Sequence, residues 1–226
     1  MTQKRIVKKL FFSLYFLGVF AFCFLQLTSH CFAEAVDCIV AVVNNRVITL
    51  VDLKFVDSFG LYDDEINGLV GDRLASILEK VIDQKVVLDL AREETAVSKE
   101  ALDQALSGVI QKLGEEDSQK RLGQFGADQE ALRTYLEERL LCQKVISQRF
   151  SQGAVVSLRE IETYYQETYV PEQKKLGAEP EPMIQILDRI ESQIKKEKTG
   201  QQIKTWIKNL RAQAEIRIKE DCLKQK

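Results

Sequence analysis

Val36 to Leu53 reads VDCIVAVVNNRVITLVDL, and the whole fold is organised around this stretch. Ile39-Val40-Ala41-Val42-Val43 is an apolar run rich in β-branched side chains, which suit a pleated and largely buried strand. Asn44-Asn45 follows, a pair that tolerates the positive φ of a tight hairpin turn. Arg46-Val47-Ile48 gives a short return strand. Thr49 stands where a helix N-cap belongs, with Asp52 three residues on to complete a capping box. A two-stranded hairpin is marginal by itself. The other β-like run is Ala214-Glu215-Ile216-Arg217-Ile218, with period-2 alternation. The economical inference is that the two runs meet in one small sheet, with helices between them.

Those helices can be read in order. Leu50 to Phe59 forms a short one, with Gly60 in the C′ position. Asp63-Asp64-Glu65 charges the start of a long helix reaching about Ala91, with Leu74, Ile77, Leu78, Val81, Ile82 and Leu88 recurring at threes and fours. Gly68 and Gly71 leave its beginning open. Ser98 caps a third helix, which Gly114 stops. A short helix spans about Gln119 to Gln124, and Asp128 starts another that ends at Ser151-Gln152-Gly153. A capping box, Ser157 to Glu160, opens a helix to Tyr169. Val170 to Glu181 reads as a linker, and with Pro182 just beyond it holds all 3 prolines: Pro171, Pro180 and Pro182. A long apolar-faced helix from Pro182 leads to the closing strand, with Thr199-Gly200 a place for a kink or a division. The expected class is mainly α, a multi-helix domain with a small sheet made by the N-terminal hairpin and the C-terminal strand.

Part of the 45% hydrophobic content is not fold. Lys4, Arg5, Lys8 and Lys9 precede an apolar run from Leu10 to Leu27. Small residues then offer cleavage sites after Ala33 or Ala35, so residues 1–35 read as a secretory signal peptide. An uncleaved membrane anchor is the alternative. Cleavage after Ala33 removes four basic residues, leaving 28 Lys and Arg against 34 Asp and Glu, a net charge of −6. That balance, without a basic stripe, argues against nucleic acid and against adsorption to anionic lipid. Cys38, Cys142 and Cys222 survive cleavage, and an odd number leaves at least one thiol over. If the first and last strands pair antiparallel, Cys38 and Cys222 fall close together. Cys142 lies in an apolar helical run and reads as a small core residue.

Histidine is decisive for chemistry. The single one, His30, leaves with the signal peptide. The remainder has no Ser-His-Asp or Cys-His machinery and no imidazole metal ligand. Neither Gly68-Leu-Val-Gly71 nor Gly123-Gln-Phe-Gly126 matches a phosphate-loop fingerprint. Asp63-Asp64, Glu93-Glu94 and Glu115-Glu116-Asp117 read as solvated surface, with nothing beside them to shift their pKa values. No catalytic residue, metal or cofactor is expected.

The opening V-D-x-I-V-A-V-V-N-x-x-V-I-T, carried by Val36, Asp37, Ile39 to Asn44 and Val47 to Thr49, resembles the N-terminal domain of SurA-type periplasmic chaperones and their parvulin-containing isomerase relatives. The resemblance continues loosely to about Tyr169 and returns from about Pro182 to Ile218. It implies a helical chaperone domain over 36–170, a proline-containing linker at 171–181 where relatives carry a parvulin domain, and a C-terminal piece at 182–226 packing back on the first. The isomerase motifs of the family are missing. By resemblance the chain would be an ATP-independent periplasmic holdase for unfolded outer-membrane or secreted proteins, not inserted in the membrane once the signal is cut. Homodimerisation is left open. A dedicated envelope assembly subunit with one partner is the alternative, with a residual peptidyl-prolyl isomerase behind it. Phe55, Phe59, Leu61 and Tyr62 either complete the core or, as the resemblance implies, line a groove for apolar client segments. Trp206 reads as a core anchor for the C-terminal helix.

Overall fold

In the computed structural model, which describes residues 37–66, 72–91 and 96–223, the two ends of that region meet in one sheet. The signal peptide at 1–35, the Gly68 and Gly71 positions and the Glu93-Glu94 pair lie outside the described residues. Strand β1 (Ile39–Val43) pairs antiparallel with β2 (Arg46–Thr49), and Asn44 takes the turn with φ of 52°. Strand β3 (Ile216–Ile218) pairs antiparallel with the other side of β1, so the order is β2-β1-β3. Central β1 buries Val40, Ala41 and Val43 completely. Outside the strands proper, Asn44 N donates to Glu215 O at 2.8 Å, and Lys219 N donates to Val40 O at 2.8 Å. The Asn44 side chain accepts from Glu215 N at 2.9 Å. Cys38 and Cys222 are joined in a disulfide across a sequence separation of 184 residues.

Thr49 ends β2 and begins helix α1 (Leu50–Ser58), and both halves of its capping box with Asp52 are present. Next comes a single turn, α2 (Asp63–Ile66), and then α3 (Arg73–Leu88). The acidic triplet therefore opens a turn of its own. The long helix starts instead at Asp72, whose side chain accepts from Leu74 N at 2.9 Å. Helix α4 (Lys99–Leu113) is capped by Ser98, and α6 (Gln129–Arg149) by Asp128. Between them α5 (Glu115–Gln124) starts directly after Gly114, earlier than its glycines suggest. Glu115, Glu116 and Asp117 occupy its first turn, where the helix dipole favours negative charge. Helix α3 packs on α1, α6 and the final helix, and the main core collects the sheet, α1 and the apolar faces of α3 to α6.

The region read as a linker is mostly not one. Helix α7 (Leu158–Tyr164) passes through a π turn at Tyr165–Tyr169 into α8 (Val170–Lys175), leaving 176–182 as the connection. Pro171 sits in the first turn of α8, where the missing N–H costs little. Helix α9 (Met183–Gln213) then runs unbroken through Thr199-Gly200. Its first half joins α7 and the π turn in a second, smaller core of Ile161, Tyr169, Ile186, Ile190 and Ile194. Its second half lies on α3, where Arg211 pairs with Asp83 at 2.8 Å and Glu79 at 2.7 Å. The loop before α7 crosses α9 closely. Gly153 has φ of 64°, and a Cβ there would meet Lys195 Cε at 2.6 Å. Beside it, Ala154 N donates to Thr199 Oγ1 at 3.0 Å.

Two measurements test how these parts are held. Reducing the disulfide, or making Cys222→Ser, is expected to lower unfolding free energy by roughly 4–5 kcal/mol on chain-entropy grounds, read from denaturant midpoints. In α7, the Lys198 ammonium and then the Ser157 cap hold the Glu160 carboxyl at about 2, below its ordinary 4.5. A depressed carboxylate contributes stability above its unfolded value and loses it as pH falls through its folded one. The melting-temperature gap between wild type and Glu160→Gln is therefore expected to be full above about pH 5 and to close towards pH 2.

Candidate functional site

A cleft of about 220 Å³ is bounded by β2, α1, the turn before α2, α3 and α6. Its apolar walls include Val47, Val56, Leu61 and Val81. Its polar wall includes Gln84 and Lys85 on α3 and Tyr135, Glu138 and Arg139 on α6, which with the apolar Val81 make two helical triplets at i, i+3 and i+4. That spacing puts each triplet on one helix face.

The polar wall is tied together. Tyr62 Oη donates to Gln84 Oε1 at 2.5 Å, and Gln84 Nε2 reaches Glu138 at 3.4 Å. Lys85 Nζ donates to both Glu138 oxygens, at 2.9 and 2.7 Å. Arg139 pairs with Glu65 at 2.9 Å and lays its guanidinium 4.8 Å from the Tyr62 ring centre. Arg139 Nη1 is buried with no hydrogen-bond partner among the described residues. The face of Tyr62 gives that cation partial compensation. Tyr135 Oη donates to Asp52, which also serves the Thr49 cap. Burial pushes both phenols well above their ordinary pKa, with the Asp52 hydrogen bond adding to the shift of Tyr135. Both stay protonated at neutral pH and act as donors that hold the walls.

The four aromatic and apolar residues singled out by sequence do not form an exposed groove. Phe55, Phe59, Leu61 and Tyr62 are only 3%, 2%, 7% and 6% exposed. Helix α6 and the end of α5 close over α1, so Phe55 stacks on Tyr135 with centroids 4.7 Å apart and meets Phe125 edge-on at 5.3 Å. Phe59 packs 4.9 Å from Phe55. Leu61 and Tyr62 reach the cleft as part of its wall, whereas Phe55 and Phe59 belong wholly to the core. Gln84, Lys85, Glu138 and Arg139 were not singled out by sequence; the paired i, i+3, i+4 triplets are the signal that could have found them.

Cys142 is the unbridged cysteine among the described residues, half-buried, its thiol pushed up to about 12 by burial. A thiol held that high is a poor nucleophile at neutral pH. Trp206 is half-exposed rather than a core anchor. It meets Phe150 at 5.6 Å, with Arg149 5.1 Å above its ring, and so ties α9 to the end of α6. Among the described residues no three His, Cys, Asp or Glu side chains gather as a metal site requires.

The packing assigned to Phe55 has a measurable consequence. Phe55→Ala is expected to cost ~3–5 kcal/mol in urea unfolding, as for a large core side chain. A groove residue would leave stability within about 0.5 kcal/mol. No family model matches the chain, and no curated protein matches it.

Proposed function

We propose that the chain is an ATP-independent chaperone of the bacterial envelope, one that holds unfolded outer-membrane or secreted polypeptides and carries no isomerase domain. The observation that carries this reading is the sheet itself. Within the motif that resembles the SurA-type opening, Ile39 to Thr49 forms the hairpin, and the C-terminal strand closes it. The Cys38–Cys222 bridge supports an oxidising compartment. The short 176–182 connection supports a chain without an inserted parvulin domain. It is fastened by Glu181, which accepts from Arg189 at 2.8 Å and from Tyr169 Oη at 3.1 Å. Ile39, Val47 and Val51, all exposed and all within or beside the hairpin, supply apolar surface, and Val47 also lines the cleft.

A dedicated assembly subunit is the second reading. It is favoured by Leu176 and Ile184, which are 78% and 77% exposed near the two ends of the connection between α8 and α9 and suit a single docking partner.

The test is aggregation of an unfolded outer-membrane β-barrel protein diluted from denaturant, with the purified protein present and ATP absent. Suppression at near-equal molar ratio is expected, with no effect from a folded control protein. Undiminished aggregation, together with one stoichiometric complex in native pull-down, would favour the dedicated subunit.

A further inference from the structure

Among the described residues strand β2 is an edge of the sheet, and its register shows which of its backbone groups face away from β1. The bonds Asn44 N to Glu215 O and Lys219 N to Val40 O place the even-numbered residues of β1 in contact with β3. Hydrogen-bonding direction alternates along an antiparallel strand. Ala41 and Val43 therefore bond towards β2, through their partners Ile48 and Arg46. Val47, between those two, turns its N–H and C=O away from β1 at the open edge. Val47 is 48% exposed, and it lines the cleft.

The cleft beside that edge has a definite size and polarity. Its volume of about 220 Å³ lies below the roughly 300–1,000 Å³ of pockets that take a drug-sized ligand. It suits one side chain. Each charge on its wall is already matched: Lys85 has Glu138, Asp52 has Thr49 and Tyr135, and Arg139 has Glu65, with only its buried Nη1 lacking a hydrogen bond among the described residues. An ionised guest would be desolvated with no free counter-charge to meet it, which is costly. An uncharged guest meets Val47, Val56, Leu61 and Val81 without that penalty.

We propose that the β2 edge and the cleft form one docking site for an extended peptide strand. The strand pairs through the Val47 backbone and places one uncharged, apolar side chain in the cleft. This is strand addition to an open edge, in which main-chain bonds supply sequence-tolerant affinity and a pocket supplies selectivity. The occupant rests on the holdase reading, since an unfolded client presents extended segments with alternating apolar side chains. The site deepens that reading by stating what a client must offer: a backbone free to pair and one large neutral side chain.

The probe is a fluorescent ten-residue peptide, blocked at both ends, with Phe alternating with Ser and Thr. Its binding is read by anisotropy, and protection of the Val47 amide by hydrogen exchange. Thr134 is exposed on α6 at the mouth of the cleft, so Thr134→Trp covers the opening from outside the core. The variant is expected to bind at least about tenfold more weakly, the loss of one buried anchor side chain. Gln202→Trp, in the separate groove beside Trp206, is expected to bind as wild type does. A peptide with Asp in place of Phe is expected not to bind, and the Val47 amide is expected to slow only with the Phe peptide.

Equal binding by Thr134→Trp and wild type, with Val47 unprotected, would overturn the site. If aggregation suppression persisted in that case, the holdase reading would stand without it. Peptide binding with Val47 protection but no suppression would keep the site and overturn the holdase reading. Should Thr134→Trp fail to fold by circular dichroism, Val47 protection in wild type decides alone.

Discussion

The pairing of β1 with β3 is the constraint on which the remaining structure depends. A strand buried as deeply as β1 is from Val40 to Val43 must satisfy its backbone polar groups on both sides, because an unbonded buried N–H or C=O costs about as much as a lost hydrogen bond. The hairpin partner satisfies one side. The other side waits for Ile216–Ile218, delivered by a helix of 31 residues. At 1.5 Å per residue α9 is a strut about 46 Å long. Its two halves have separate duties. The first half completes the small core with α7 and the π turn, and the second lies on α3 and hands the chain to the sheet.

The cleft follows from the same arrangement. Helix α6 crosses α1 closely enough for Tyr135 to stack on Phe55, yet Tyr135 also needs an acceptor for its hydroxyl and finds it in Asp52. That bond links the α1 cap to α6 beside the edge of β2. Next to it Glu138 and Arg139 settle on Lys85 and Glu65, so their charges are neutralised along the wall. What remains is a small space with one apolar side and one polar side, bordered by a strand whose outer edge has no partner among the described residues.

Local signals in the sequence were legible wherever a single residue type performs a backbone task. Asn44 at positive φ, the Thr49–Asp52 and Ser157–Glu160 boxes, and the Ser98 and Asp128 caps all depend on neighbours within a few positions. The closing strand was legible because a lone hairpin needs a third strand and one other run alternates. Misreadings occur where one signal serves several structures. An acidic triplet favours any helix start, so Asp63-Asp64-Glu65 could not say that a separate turn precedes α3. Proline ends helices but also opens them, and the widened π turn before α8 admits Pro171 into a first turn. The fate of Phe55 to Tyr62 was not legible, because which side of α1 becomes covered is decided by α5 and α6, some seventy residues later in the chain. The cleft draws on five separate elements, and no local pattern reports their meeting.

The position of β3 also governs timing. The two halves of the β1–β3 ladder lie about as far apart in sequence as the disulfide ends, which are separated by 184 residues. A chain made at 5–20 residues per second needs on the order of ten to thirty seconds between them. Throughout that interval the IVAVV strand has an apolar, unpaired edge of the kind that recruits other chains. Contacts this distant also close slowly once both partners exist. Until its last strand pairs, the sheet is incomplete and the molecule must itself remain unaggregated.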